Sequence, residues 1–179
     1  RRFPELKVSD EYYKGWDAVA AEGHIGKAVV PTFASFTVRT EFELNFGLPV
    51  KSLNDPNMPQ RLLLDRAQPT IAQYYKDLGY NTDYIHTFSR TFYSRGRVYA
   101  NFGFDNMYFD DNLTVPSEYA GSYISDKTIF NQITKILKEN NDAPTFIHTT
   151  TMQDHQPYDV EGKTELEAYL ARVQDMTNN

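Results

Sequence analysis

Two stretches of the chain repeat one pattern, an amphipathic helix, a break and a short strand, and that pattern restricts the fold more than any other feature. In the first, Pro69 suits a helix first turn, and Ile71, Tyr74, Tyr75 and Leu78 fall at i, i+3, i+4 and i+7 before Gly79 ends the run. Tyr80–His86 then alternates as a strand does. In the second, Asp126 is placed to cap a helix carrying Ile129, Phe130, Ile133, Ile136 and Leu137 on one face. Asn140 to Pro144 break it, and Thr145–Thr150 forms the next strand. Such units are what a parallel sheet repeats, so the sequence predicts an α/β fold, a mostly parallel sheet flanked by helices. A further strand is expected at Lys27–Val30, stopped by Pro31, which gives at least three. Trp16, Ala18, Val19 and Ala20 suggest a short helix ending near Gly23, and Lys51 to Pro59 reads as a loop. A last helix, Lys163 to Asp175, is expected to bury Leu166, Tyr169, Leu170 and Val173.

Composition limits what such a fold can do. At 179 residues the chain fits one domain or a large piece of one, and 40% hydrophobic with 15% aromatic residues is enough for a packed core. The net charge of −6 gives no field that would gather nucleic acid. The chain has no cysteine, which excludes thiolate nucleophiles, thiolate metal sites and disulfides. No run approaches the ~18 apolar residues of a membrane span. The chain opens on Arg1 without a signal peptide and is expected to be an excised portion of a longer protein.

Chemistry is expected beyond the carboxyl ends of the strands, where open α/β sheets bind ligands. Three candidates lie there: Thr37 after Lys27–Val30, His86 after Tyr80–Ile85, and His155 after Thr145–Thr150. Thr37 opens an amphipathic run that Gly47 and Pro49 close. At a helix start, unpaired backbone N–H groups and the helix dipole favour anions. A threonine hydroxyl needs a base or a metal to become a nucleophile, and no base lies close in sequence. The alternative is that Thr37 or Thr40 merely caps the helix.

The run Thr37-x-x-Thr40-Glu41-Phe42-Glu43 resembles the nucleophile motif of lipoteichoic acid synthases and related phosphoglycerol transferases, in the sulfatase-like branch of the alkaline phosphatase superfamily. In that family the threonine four residues before Glu-Phe ligates a divalent metal and takes phosphoglycerol covalently, which implies Thr37 rather than Thr40. His86, Tyr93 and Arg95, followed by Tyr99 and Asn101-Phe102-Gly103-Phe104-Asp105, resemble the family's substrate segment, with Tyr93 in place of its usual tryptophan. Arg95 offers the planar fork that matches phosphate oxygens, with Arg90 and Arg97 as competitors. Thr149 to Tyr158 resembles the strand-end motif whose core is Asn-His-x-Pro-Tyr/Phe, with Asp154 replacing the asparagine and His155 kept. His155 is thereby implied to contact phosphate or donate a proton.

The resemblance implies a phosphoglycerol-type transferase that takes phosphoglycerol from phosphatidylglycerol or a similar lipid headgroup onto Thr37. It then passes the group to an envelope polymer or glycan. The parent protein is expected to be membrane-anchored, with this domain at the extracytoplasmic face, and no nucleic acid is involved. The implied cofactor is a divalent metal, Mn²⁺ first and Mg²⁺ or Zn²⁺ next. The family's upstream glutamate and downstream Asp-His ligands have no counterpart, so residues 1–179 are expected to be part of one sulfatase-like catalytic domain, with Thr37 its one metal ligand and no activity alone. The alternatives are a sulfatase or phosphodiesterase that hands the group to water, which the lack of cysteine disfavours for a sulfatase, and a non-catalytic envelope-binding module.

Overall fold

The computed structural model describes residues 10–30, 36–54, 58–63, 65, 67–140 and 143–157; the expected helix at 163–175 lies outside them. The chain divides into two units, Arg1–Val29 with Gln156–Asn179, and Val30–His155. In the first, helix α1 (Asp10–Glu22) stops just before Gly23, as expected, and exposes Trp16 and Val19. The strand expected at Lys27–Val30 does not form: these residues are irregular, and Val29 is 90% exposed. A short β-prone run becomes a strand only by pairing, and among the described residues this one pairs with none.

The second unit contains helices α2 (Thr37–Phe46) and α3 (Ile71–Asp77), strand β1 (Asn81–His86), helix α4 (Arg95–Val98), strands β2 (Asn106–Tyr108), β3 (Tyr119–Ala120) and β4 (Tyr123–Ile124), helix α5 (Asp126–Glu139) and strand β5 (Thr145–Thr150). Part of the expected Lys51–Pro59 loop is instead a 3-10 turn at Val50–Ser52. The sheet is parallel throughout, in the order β2-β1-β5, with Tyr84 opposite His148 and His86 opposite Thr150. Its third strand is β2, not Lys27–Val30. β3 and β4 form a separate antiparallel pair.

Strand alternation sorts the core into two faces. Tyr84 packs with Phe42, Val50, Ala72, Val98, Tyr99, Phe102, Phe104 and Phe109, while Ile85 packs with Ile129 and Ile136 of α5. The apolar stripes are narrower than the sequence implies. On α5, Phe130 and Leu137 are exposed, and Thr128 and Gln132 are buried in their place. Gln132 can occupy that position because Thr114 N–H donates to its Oε1 and its Nε2 donates to Thr114 Oγ1. On α3, Tyr74 and Leu78 are likewise exposed. The cap of α5 is Ser125, whose hydroxyl accepts from Thr128 N–H, not Asp126.

The start of β1 is fixed by Asp105, which accepts from Thr82 N–H at 3.0 Å and pairs with Lys76 at 2.6 Å. Gly103, two residues before Asp105, has φ +93°, and a Cβ there would lie 2.6 Å from Gln73 Oε1 and 3.2 Å from Gln73 Cα. Gly79 has a similar φ of +87° but open space around it. Gly103→Ala is therefore expected to destabilise by roughly 3 kcal/mol or more, and Gly79→Ala by roughly 1 kcal/mol, since only the first adds overlap to left-handed strain. Urea denaturation of both variants checks the order.

Candidate active site

Helix α2 begins without a side-chain cap. Its N-cap residue is Phe36, held left-handed at φ 61°, ψ 74°, and Thr37 is the first helical residue, exposed to solvent. Neither Thr37 nor Thr40 caps the helix, so that alternative falls. One turn on, Glu41 is buried, a position that an apolar side chain usually takes. Its Oε1 accepts from Arg95 Nη2 at 2.6 Å, and its Oε2 accepts from the Tyr99 hydroxyl.

Arg95 is 1% exposed. Its guanidinium carbon lies 5.5 Å from the Phe92 ring centroid and 5.2 Å from that of Tyr93. Burial opposes its charge, but Glu41, with Tyr84 and Tyr99, more than offsets that and raises its pKa. Nε and Nη1 have no protein partner. The other two arginines of the segment face outward, Arg90 paired with Asp111 at 2.6 Å and Arg97 with Asp65 at 2.8 Å. Of the three, only Arg95 turns into the protein.

His86 ends β1 and is wholly buried. Its Nδ1 lies 3.0 Å from the Thr150 carbonyl, so Nδ1–H donates and Nε2, which has no partner, is the bare nitrogen. Burial first and then the Arg95 charge push its pKa down to about 4. His155, beyond β5, is exposed, with its backbone N–H bonded to Met152 O at 2.9 Å.

Phe92 joins these groups. Its ring stacks on His86 at 6.4 Å and 13°, meets His155 edge-on at 6.2 Å, and touches Tyr93 at 4.3 Å. Tyr93 in turn meets Phe36, the neighbour of Thr37, at 6.4 Å. The structure thus gathers Tyr93, Arg95, His86 and His155 around one ring, and ties Thr37 to them through Phe36 and through Glu41. Among the described residues, the non-glycine positions with positive φ are Phe36, Tyr93 and Ser94, all at this junction.

Four buried residues form the floor of the site: Glu41 and Tyr99, which lie in the resembling segments without an assigned role, and Tyr84 and His148, which the sequence presents only as strand residues. Tyr84 stacks on Tyr99 at 4.1 Å and meets His148 edge-on at 5.5 Å. Burial, and after it Glu41, raises the Tyr84 phenol; burial, and after it Tyr84, raises Tyr99; burial lowers His148. The signal available was alternation, since Tyr84 with His86 and His148 with Thr150 fall on one face once the strands are paired.

The described residues do not by themselves assemble a divalent-metal site. Among the described residues no group of three or more His, Asp or Glu comes together as a metal would need, and the nearest acidic candidate to Thr37 on its own helix, Glu41, is committed to Arg95 and Tyr99.

The family model described as Sulfatase matches residues 15–178. The chain is 29% identical over 134 residues to a putative cyclic beta-1,2-glucan modification protein of Rhizobium meliloti, covering 75% of this chain and 21% of that protein. It is 26% identical over 135 residues to the capsular polysaccharide biosynthesis protein RkpI of the same organism, covering 69% and 23%. The chain therefore spans about a fifth of the length of these relatives. Among solved structures it is similar to the lipoteichoic acid synthase LtaP from Listeria monocytogenes, with TM-score 0.65, 23% identity, and coverage of 81% of this chain and 38% of that one. It is also similar to the Streptococcus pyogenes phosphoglycerol transferase GacH in complex with sn-glycerol-1-phosphate, with TM-score 0.63, 24% identity, and coverage of 86% and 41%.

Two measurements test the geometry. His86 has a folded pKa of about 4 against about 6.5 unfolded, so the unfolded chain binds the extra proton between these values. Stability is expected to hold above pH 6.5 and to fall by roughly 3 kcal/mol as pH drops toward 4. Urea midpoints across that range and the NMR titration of the His86 ring check this. Calorimetric titration of residues 1–179 with Mn²⁺ is expected to show only weak binding, with Kd on the order of millimolar or weaker, because a lone hydroxyl cannot replace the ion's water shell. Micromolar binding would contradict the donor count.

Proposed function

Because the chain belongs to the sulfatase family, we propose that it is part of a phosphoglycerol-type transferase with Thr37 as its nucleophile. The observation that carries this reading is the placement of Thr37, an exposed hydroxyl at the first position of an uncapped ten-residue helix. A phosphate there meets the unpaired N–H groups of the first turn. The fixed positive charge of Arg95 is held to the same helix through Glu41.

In the first half-reaction the Thr37 hydroxyl, exposed to solvent, loses its proton to water, and its oxygen attacks phosphorus in the headgroup of phosphatidylglycerol or a similar lipid. The bond to the diacylglycerol oxygen breaks, and His155 gives that oxygen a proton. In the second, a hydroxyl of the acceptor gives its proton to His155 and attacks the same phosphorus; the bond to the Thr37 oxygen breaks, and that oxygen takes a proton back from water. His86, buried and neutral, and Tyr93, half-buried, form the wall beside the group in transfer. The printed names of two relatives concern a cyclic glucan and a capsular polysaccharide, and that of GacH concerns phosphoglycerol; together they favour an envelope polymer or glycan as the acceptor. On this reading the work is done at the extracytoplasmic face by a membrane-anchored parent. Among the described residues no helix is long and apolar enough to cross a membrane. Were a divalent metal bound in the whole protein, Thr37 would be its ligand from this chain, and the ion would lower the pKa of that hydroxyl.

In the whole protein, Thr37→Ala is expected to lower turnover by at least 10³-fold or so while moving Tm little, since the side chain is exposed. Mass spectrometry after incubation with phosphatidylglycerol should find a phosphoglycerol adduct on Thr37. An adduct on Thr40, or full activity in the variant, overturns the assignment. Adduct formation followed by release to water alone favours the hydrolase.

A further inference from the structure

Both carboxylate oxygens of Glu41 are committed across the fold, to Arg95 on α4 and to Tyr99 just after it. For stability alone this is a poor arrangement. Taking two charges out of water carries a desolvation cost that their attraction need not repay, and apolar side chains of similar volume commonly do as well or better. Arg95 is not satisfied by the arrangement either, because Nε and Nη1 are buried without a protein partner. Meanwhile Tyr93 and Ser94, immediately before Arg95, are held left-handed, so the turn that delivers the guanidinium is itself strained. Glu41 lies four residues after Thr37, roughly 6 Å along the helix axis. With both oxygens taken and its side chain buried, it has nothing left to offer the Thr37 hydroxyl directly.

We infer that Glu41 is a positioning residue for the transfer at Thr37: its buried pair with Arg95 fixes that guanidinium to the nucleophile's own helix, so that charge and nucleophile keep one relative position. The inference rests on the reading of Thr37 proposed above and adds a residue which acts only through another. Helix α2 carries Thr37 at one end of the link and receives Arg95 at the other, so a change at Glu41 misplaces the charge without touching the hydroxyl. Nε and Nη1 are buried without a hydrogen-bond partner, so the guanidinium acts on the group in transfer through its charge rather than by direct hydrogen bonds. The phenol of Tyr99 holds the second carboxylate oxygen and keeps Glu41 from swinging with Arg95.

The test uses the whole protein, vesicles containing phosphatidylglycerol, and the rate at which the adduct on Thr37 appears. Glu41→Gln keeps the shape and removes the charge; Ile136→Ala, in the core on the opposite face of the sheet, serves as a control for general destabilisation. Glu41→Gln is expected to slow adduct formation about 10²-fold at saturating lipid, as a misplacement of about 1 Å can do. Ile136→Ala is expected to stay within about threefold when assayed well below its Tm. On an Arg95→Met background, Glu41→Gln should add less than about threefold, because a residue acting through Arg95 has nothing left to position. If Glu41→Gln does not fold, Glu41→Asp, which keeps the charge and shortens the reach by one methylene, is expected to show the same slowing and the same lack of effect without Arg95. The inference is overturned if the Glu41 variant slows no more than Ile136→Ala, or slows the Arg95→Met protein as much as the wild type. Absence of any adduct on wild-type Thr37 overturns the transferase reading itself, and this inference with it, so the two failures are told apart.

Discussion

The buried pair between Glu41 and Arg95 is the contact on which the arrangement of the site depends. It joins residues 54 positions apart, one on the helix that carries Thr37 and one on the turn that carries Phe92 and Tyr93. A charge sealed in the interior is tolerated only when a partner and hydrogen bonds replace its water. Arg95 has Glu41, and Glu41 has Arg95 and Tyr99. The apolar shell around them, from Phe42 and Val98 to Tyr84 and Phe102, excludes water and so strengthens the attraction while raising what it costs to break it. Removing one partner leaves the other stranded, so α2 and α4 cannot part at this point without leaving a buried charge unpaired.

That constraint explains where the backbone strain lies. Left-handed Phe36, Tyr93 and Ser94 each cost on the order of 1–3 kcal/mol and persist only where the surroundings over-determine them. Phe36 is fixed by the start of α2 and by its contact with Tyr93; Tyr93 and Ser94 are fixed because Arg95 must reach inward to Glu41 while Phe92 stays over His86. The strain and the ion pair are two sides of one geometry, in which a short turn has to present an aromatic wall outward and a cation inward within four residues.

The fold was legible where the local pattern and the tertiary partner agree. Two helix–break–strand units could be read because α3, β1, α5 and β5 each carry their own period, and parallel pairing follows from the helix between strands. β2 was missed because three residues show no period, and its pairing is specified by Asp105 reaching back to Thr82 rather than by its own side chains. Lys27–Val30 misled because β-propensity says what suits a strand and not whether a neighbour is present. In the site, strand-end position points to Thr37, His86 and His155 and the family resemblance to Tyr93 and Arg95; His86, Tyr93, Arg95 and His155 meet at the ring of Phe92, while Thr37 reaches them only through Phe36 and Glu41. The pairing of Glu41 with Arg95 was not legible, because a glutamate four residues into an amphipathic helix looks like a solvated one until its partner is known.

The two histidines at the strand ends show how burial divides roles that sequence position makes look alike. One closes β1 and the other follows β5, and both meet the ring of Phe92. His86 has no exposure, one nitrogen is given to the Thr150 carbonyl, and its pKa of about 4 keeps it neutral at every pH where the fold is comfortable. A group so placed supports its neighbours by shape and by its unshared lone pair, and it cannot cycle a proton near neutral pH. His155 reaches solvent at the far edge of the same ring. Proton transfer to and from a substrate oxygen requires both access and a pKa not driven far from the working pH. Burial denies His86 both, so in the proposed transfer the proton falls to His155, and His86 keeps the Phe92 wall in place between them.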